Sequence, residues 1–288
     1  MVGSSPTVAR RTLARVLRES RTARGITSKE AAAHAGLHPS TLSRIERAEV
    51  KVEPGTAALL LEHYGVSTED RNSLLEVARA ARQRGWWQQY RGAVPEWFSS
   101  YIGLETEATR LRTYETELIP GIVQTPDYAR ALVAADVLAP ADEKEAEKRV
   151  TVRQERQQRL TGDNPLHLSV VLNDAALYRE IGGPETMVSQ LEHLLAMSKL
   201  PNVQLRLLPF TAGGHPAGYG SFVILDFPEI HNHTVVYVEY CGGALYLEEP
   251  TELETYTSMF ERLNDHACDV PASQELVQRA LDIHRNRD

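Results

Sequence analysis

The chain is poor in cysteine. It has two in 288 residues, Cys241 and Cys268, too few for a disulfide framework, which excludes the stapled secreted domains and points to a reducing cytoplasm. It has no run of about 18 apolar residues, so the sequence supplies no membrane-spanning helix and the expectation is a protein without a membrane partner. The opening VGSSPTVARR has no apolar centre of the kind a secretory signal needs. Short catalytic signatures are missing too. There is no G-x-S-x-G nucleophile elbow, no G-x-x-x-x-G-K-[ST] phosphate loop, no C-x-x-C and no H-E-x-x-H. His231 and His233 form an H-x-H pair, with His215 and Cys241 elsewhere, which falls short of the three or four spaced ligands a metal requires. The glycines of TAGGHPAGYG are out of register for a dinucleotide fingerprint and read as a mobile loop before a strand. Asp174, Arg179, Glu239 and Glu248 fall near strand ends, where they would line a pocket, but nothing assigns them a reaction. The expectation is no catalytic residue, no metal, no cofactor and no enzyme.

What is present divides in two. At about 150 residues per domain, 288 residues suggest two domains, and 42% hydrophobic with 24% charged residues is the usual composition of a packed globular chain. The net charge of −8 is uneven. Residues 1–85 hold 14 Lys and Arg against 9 Asp and Glu, a balance of +5, while residues 86–288 hold 17 against 30, a balance of −13. A basic module joined to an acidic remainder is the charge division of a nucleic-acid binder carrying an effector domain, with the acidic part turned away from DNA.

Within the basic part, Thr27 to Glu46 (TSKEAAAHAGLHPSTLSRIE) has the spacing of a helix-turn-helix. Thr27 can cap a helix and Glu30, three residues on, can close a capping box. Ala31, Ala32 and Ala35 keep the following turns narrow, so that a second helix can cross closely. Gly36 allows the positive φ of a sharp reversal, Leu37 fills the corner, and Pro39 suits the first position of the next helix. Leu42 and Ile45 turn inward, which leaves Ser40, Thr41, Ser43 and Arg44 outward, a set suited to base edges and phosphates in a major groove. Ahead of this, Leu13, Val16 and Leu17 form an apolar helical stripe decorated by Arg10, Arg11, Arg15, Arg18, Arg21 and Arg24. Leu59, Leu60, Leu61 and Tyr64 suggest a fourth helix. Leu74, Leu75 and Val77 suggest a fifth, completing a bundle by about residue 84.

This layout resembles the Cro/C1-type (XRE) helix-turn-helix family. The resemblance places Pro39, Ser40, Thr41, Ser43 and Arg44 at the bases of a double-stranded operator, Arg44 being the best candidate for a bidentate guanine contact. It places Arg21, Arg24, Thr27, Ser28, Lys29 and Arg47 at phosphates. Two departures stand out. Ala31 and Ala35 replace larger aliphatics, and Ala48 replaces the glycine that commonly ends the recognition helix, where a positive φ would cost about 1 kcal/mol.

Residues 85–288 read as a second, mixed α and β domain, so the fold class expected for the whole is α+β: an all-α five-helix bundle over 1–84, then an α/β effector domain. Trp86, Trp87, Tyr90, Trp97, Phe98 and Tyr101 concentrate at its start, after the plausible boundary at Gly85, and read as core or interdomain contact. Strands are expected at LHLSVVL, VQLRLLP, SFVILDF, TVVYVEY and ALYLEE, and helices at about 143–160, 184–199, 251–266 and 271–284, with another after Thr125-Pro126. Leu253, Tyr256, Phe260 and Leu263 should pack on the sheet. Arg149, Arg153 and Arg156 share one helical face, which reads as solvated and tied to Glu145, Glu147 and Glu155 rather than as a second nucleic-acid stripe.

Three strings, LETEATRLRTYETELIPGIVQTPDYARA, GGPETMVSQLEHLLAMSKLPNVQLRLLPFTAGGHPA and VVYVEYCGGALYLEEP, resemble the C-terminal domain of a large actinobacterial family of WhiJ-like or antitoxin-like regulators, whose members join an XRE-type helix-turn-helix to this domain. The resemblance implies a cytoplasmic regulator, associated with the nucleoid when on DNA, whose C-terminal domain binds a small protein encoded by a neighbouring gene. The alternative is a one-component sensor with a small-molecule pocket between TAGGHPAGYG and the sheet. A single helix-turn-helix makes few base contacts, so a homodimer on an inverted repeat is expected.

Overall fold

Three of the first unit's helices begin on proline, which lacks the N–H that a helix start leaves unpaired. The computed structural model describes residues 5–136, 140–228 and 234–287, and the chain divides into two units, Met1–Gln88 and Gln89–Asp288. The first holds α1 (Pro6–Ala23), α2 (Ser28–His34), α3 (Pro39–Glu46), α4 (Pro54–His63) and α5 (Thr68–Ala80). Its core joins Leu13 and Leu17 of α1, Ala31 and Ala32 of α2, Leu42 and Ile45 of α3, and Leu60 and Leu61 of α4 with Tyr64 and Ala78. The five-helix reading holds, except that Leu59 faces solvent. Past α5, Trp87 folds its ring back over Gly85, where a β-carbon would lie 2.3 Å from the ring, so a larger residue there would have to displace it.

The second unit runs α6 (Glu96–Glu107), β1 (Arg110–Glu115), α7 (Pro126–Ala135), α8 (Glu143–Gln157), β2 (His167–Asn173), α9 (Ala175–Tyr178), α10 (Pro184–Met197), β3 (Val203–Leu208), β4 (Phe222–Asp226), β5 (Thr234–Tyr240), β6 (Gly243–Leu247), α11 (Pro250–His266) and α12 (Val270–Arg285). The strands form one mixed sheet in the order β3-β2-β1-β4-β5-β6. β1, β2 and β3 are parallel, while β4, β5 and β6 pair antiparallel. The α+β class expected from the sequence is thus the class observed. Among the described residues, no helix is long and apolar enough to cross a membrane.

Strand β1 and helix α6 are corrections to the sequence reading, which assigned neither. β1 (RLRTYE) looks too polar for a central strand, yet it lies between β2 and β4. Arg112 is accommodated by a two-pronged pair with Asp226 at 3.0 and 3.2 Å, and Thr113 bonds across to the Phe222 carbonyl. One face of the sheet (Tyr114, Val171, Phe222, Ile224, Val236) packs under Phe260 and Leu263 of α11, with Leu253 and Tyr256 at its margin, as expected. On the opposite face α6 brings Tyr101 against Tyr237 of β5, 4.5 Å between ring centroids. The aromatic concentration is, for Phe98 and Tyr101, interior packing.

The arginine face of α8 is a second correction: it is turned inward. Arg156 is 5% exposed and bonds both oxygens of Glu105, itself 1% exposed, at 2.6 and 2.7 Å. Its guanidinium also lies 5.2 Å from the Phe98 ring centroid and 5.3 Å from that of Tyr101. Arg149 donates to the Ala93 carbonyl, and Arg153 bonds the Arg149 carbonyl. Of the three glutamates expected as partners, Glu147 pairs with Arg130 and Glu155 accepts from Tyr90. The stripe is neither solvated nor open to nucleic acid, because burial selected partners the local spacing could not reveal.

Two predictions follow from this interior. Removing one member of a buried pair strands the other charge, so Glu105→Ala should lower the stability of the second unit by about 3–5 kcal/mol in urea denaturation; a loss below about 1 kcal/mol would show that the pair contributes little. Glu115, at the end of β1, is the second case. Burial pushes its carboxyl up to about 7, against the hydrogen bonds of Ser221 and Thr113. A raised carboxyl means that the fold holds the proton more tightly than the unfolded chain. Stability from this group is therefore full below pH 4.5 and is lost as pH rises from there to about 7. Glu115→Gln should flatten that decline and leave the variant about 2 kcal/mol more stable than wild type at pH 8, and equal slopes in the two proteins would refute the assignment.

Candidate nucleic-acid interface

The helix-turn-helix is assembled by caps. Thr27 accepts from the Glu30 amide at 3.2 Å while its own amide and hydroxyl donate to Glu30 Oε2 at 2.9 and 2.7 Å, a complete capping box. That bond holds the Glu30 carboxyl below its ordinary value. The other end of α2 closes with Gly36 at φ +67°, the Gly36 amide bonding Ala33 O at 3.2 Å and the Leu37 amide bonding Ala32 O at 2.8 Å. Leu37 packs into the core at the corner. Helix α3 then starts on Pro39, and its cap is His38, whose Nδ1 accepts from the Ser40 amide at 3.3 Å and lies 2.8 Å from Ser40 Oγ. The sequence reading missed His38, because the residues that ordinarily signal a cap are Ser, Thr, Asp and Asn.

On α3, Leu42 and Ile45 are buried, 0% and 4% exposed. Pro39, Ser40 and Arg44 are exposed; Thr41 and Ser43 are half-buried. The outward residues therefore form one face, as the spacing required. Past the helix, Ala48 adopts φ +57°, the one non-glycine residue with positive φ among the described residues. Its amide bonds Ile45 O and the Glu49 amide bonds Arg44 O, each at 2.9 Å, so alanine occupies the glycine position of the αL cap at a cost of about 1 kcal/mol.

The expected phosphate residues separate into two groups. Lys29, Arg24 and Arg47 are exposed and Ser28 half-buried. Arg24 places one guanidinium nitrogen 3.2 Å from Gly65 O, and Arg47 donates to Ser43 Oγ at 2.7 Å and to Glu49 Oε1 at 2.7 Å. Thr27 is exposed but engaged in the capping box. Arg21 departs from expectation. Its side chain is 14% exposed and forks onto Glu46, 7% exposed, at 2.6 and 2.9 Å, while a third bond reaches Ile26 O at 2.9 Å. Its donors hold the end of α1 to the end of α3, which leaves this side chain facing the fold and not a phosphate. The hydrogen bond it donates to Glu46 raises the Arg21 pKa, and burial, with Glu46 nearby, pushes the Tyr64 hydroxyl up to about 12.

Elsewhere, Asp174 is 8% exposed beyond β2 and accepts from the Phe210 amide, Arg179 pairs with Glu117, and Glu239 on β5 accepts from Tyr237. The structure thus gives Asp174, Arg179 and Glu239 separate partners. Among the described residues no three His, Cys, Asp or Glu side chains are grouped to hold a metal; His231 and His233 lie outside those residues.

Comparison with known families gives two matches. A helix-turn-helix domain matches residues 12–74, and a domain of unknown function, DUF5753, matches residues 98–279. No curated protein and no solved structure matches the chain. The helix-turn-helix match supports a DNA-binding regulator, and it covers α2, α3 and the caps described above.

If Arg21 and Glu46 hold α3 in place, Glu46→Gln should reduce stability in urea by about 1.5–3 kcal/mol, the range for a hydrogen bond to a charged group. A change within about 0.5 kcal/mol, the ordinary surface range, would remove the pair from that role.

Proposed function

Because the chain belongs to the family of the domain of unknown function DUF5753 and carries a helix-turn-helix domain before it, we propose that it is a homodimeric, sequence-specific transcriptional regulator. In this reading it acts on a double-stranded operator in the cytoplasm. Its second unit catalyses no reaction, takes no cofactor and docks a small partner protein in antitoxin-like fashion. The observation that carries the DNA half is the outward face of α3, where Ser40 and Arg44 are exposed beside Thr41 and Ser43 on a helix anchored by Leu42 and Ile45. Short hydroxyls near the start of a helix and one exposed guanidinium a turn further on are the groups that read base edges in a major groove. One such helix reads only a few base pairs, and a second copy on an adjoining half-site supplies the rest. The partner half draws on large apolar side chains left in solvent on the second unit, Tyr219 at 96%, Phe210 at 65%, Tyr240 at 56% and Leu245 at 50% exposure.

Genome-wide mapping of the tagged protein, with Arg44→Ala beside it, tests the reading. Sharp sites sharing an inverted repeat are expected for the wild type. The variant should lose about 1–3 kcal/mol at such a site and relax preference at one base position. Equal binding by the two proteins would remove Arg44 from base reading. Arg24→Ala should weaken all sequences alike, and a loss confined to one sequence would refute its phosphate role.

A further inference from the structure

Glu49 occupies a position that works against DNA binding. The αL turn at Ala48 and the bond from the Glu49 amide to Arg44 O fix this residue just past the last turn of α3. The carboxylate sits at the negative end of the helix dipole, where an anion is disfavoured. It is held there by two arginines of the candidate interface. Arg47 meets it with Nε at 2.7 Å from Oε1 and a terminal nitrogen at 3.4 Å from Oε2, and Arg44 Nε lies 3.5 Å from Oε2. The hydrogen bond from Arg47 holds the Glu49 carboxyl below its ordinary value. Arg44, Arg47 and Glu49 are all about half exposed, at 56%, 57% and 46%. The fork between Arg47 and this carboxylate has the geometry a guanidinium makes with a phosphate.

We propose that Glu49 is a built-in substitute for a backbone phosphate, holding Arg47 and Arg44 in the free protein until DNA displaces it. The inference rests on the DNA-binding reading above and assigns a specificity role within that site. Every duplex must take Arg47 away from Glu49 and bring phosphates near its charge, which lowers affinity for all sequences. Only the correct site returns a base contact to Arg44. Glu49 therefore suppresses sequence-independent binding more than operator binding, as a repulsive element that sharpens discrimination.

The test is Glu49→Gln, which keeps size and removes the charge, with binding measured by fluorescence anisotropy on a random-sequence duplex and on a duplex enriched by selection with the wild type. The variant should bind the random duplex about three- to tenfold more tightly near 0.1 M salt, with a salt slope steeper by about one contact. It should gain less on the selected duplex. Most of the gain should be lost in an Arg47→Met background, since only the longer contact of Arg44, at 3.5 Å, then remains to be released. Wild-type binding without any gain in Glu49→Gln, or a full gain that persists in Arg47→Met, overturns the displacement while leaving the DNA-binding reading intact. Absence of binding by both proteins fails that reading, and this inference with it.

Discussion

The pair of Arg21 and Glu46 is the constraint on which the DNA-reading unit depends. A recognition helix of eight residues is too short to hold itself in water, and its stability must come from contacts with its neighbours. Leu42 and Ile45 supply the apolar contact, but apolar packing is non-directional and tolerates small rotations of a short helix. The forked bond from Arg21 fixes the last turn of α3 against the last turn of α1, and the Ile26 carbonyl accepts a third bond from the same guanidinium. With that end fixed and the His38 cap on the other, the outward set of Ser40, Thr41, Ser43 and Arg44 has one orientation to present.

Much of this unit was legible because its signals are local. A capping box, a glycine at a reversal and a pair of inward apolar residues each act within a few positions, and Thr27, Glu30, Gly36, Leu42 and Ile45 all behave as their spacing demands. Even the unusual Ala48 was readable as a potential strain, and its φ of +57° shows the strain is present. Arg21 was misread because its partner is 25 residues away. Nothing in a run of arginines distinguishes one that faces a phosphate from one that faces a carboxylate brought in by the fold.

The second unit shows the same limit at greater range. Apolar runs such as β4 and β5 announce themselves, whereas β1 does not, since Arg110, Arg112 and Thr113 look polar until Asp226, more than a hundred residues later, comes beside Arg112. The α8 arginines read as a solvated stripe because Glu145, Glu147 and Glu155 lie close in sequence. Glu105, 51 residues back on an unrecognised helix, took Arg156 instead. A buried charge is tolerable only when fully paired, so such a residue is best identified from its partner, which the sequence alone does not reveal.

Three of the chain's forked arginine–carboxylate pairs differ in exposure, and solvent grades their roles. Arg156 and Glu105 are 5% and 1% exposed; breaking either leaves a charge without water or partner, so the pair behaves as part of the interior. Arg21 and Glu46, at 14% and 7%, keep the same chemistry at the edge of a core and serve to orient. Arg47 and Glu49, at 57% and 46%, stand in water, where a pair of this kind contributes little. An interaction that weak adds little to the fold but can be exchanged readily, and a phosphate offers the same fork with more charge. The grading explains why only the exposed pair can take part in recognition. The buried pairs bind too firmly to be released by a ligand, and the exposed one is held just firmly enough to oppose a ligand that does not also satisfy Arg44.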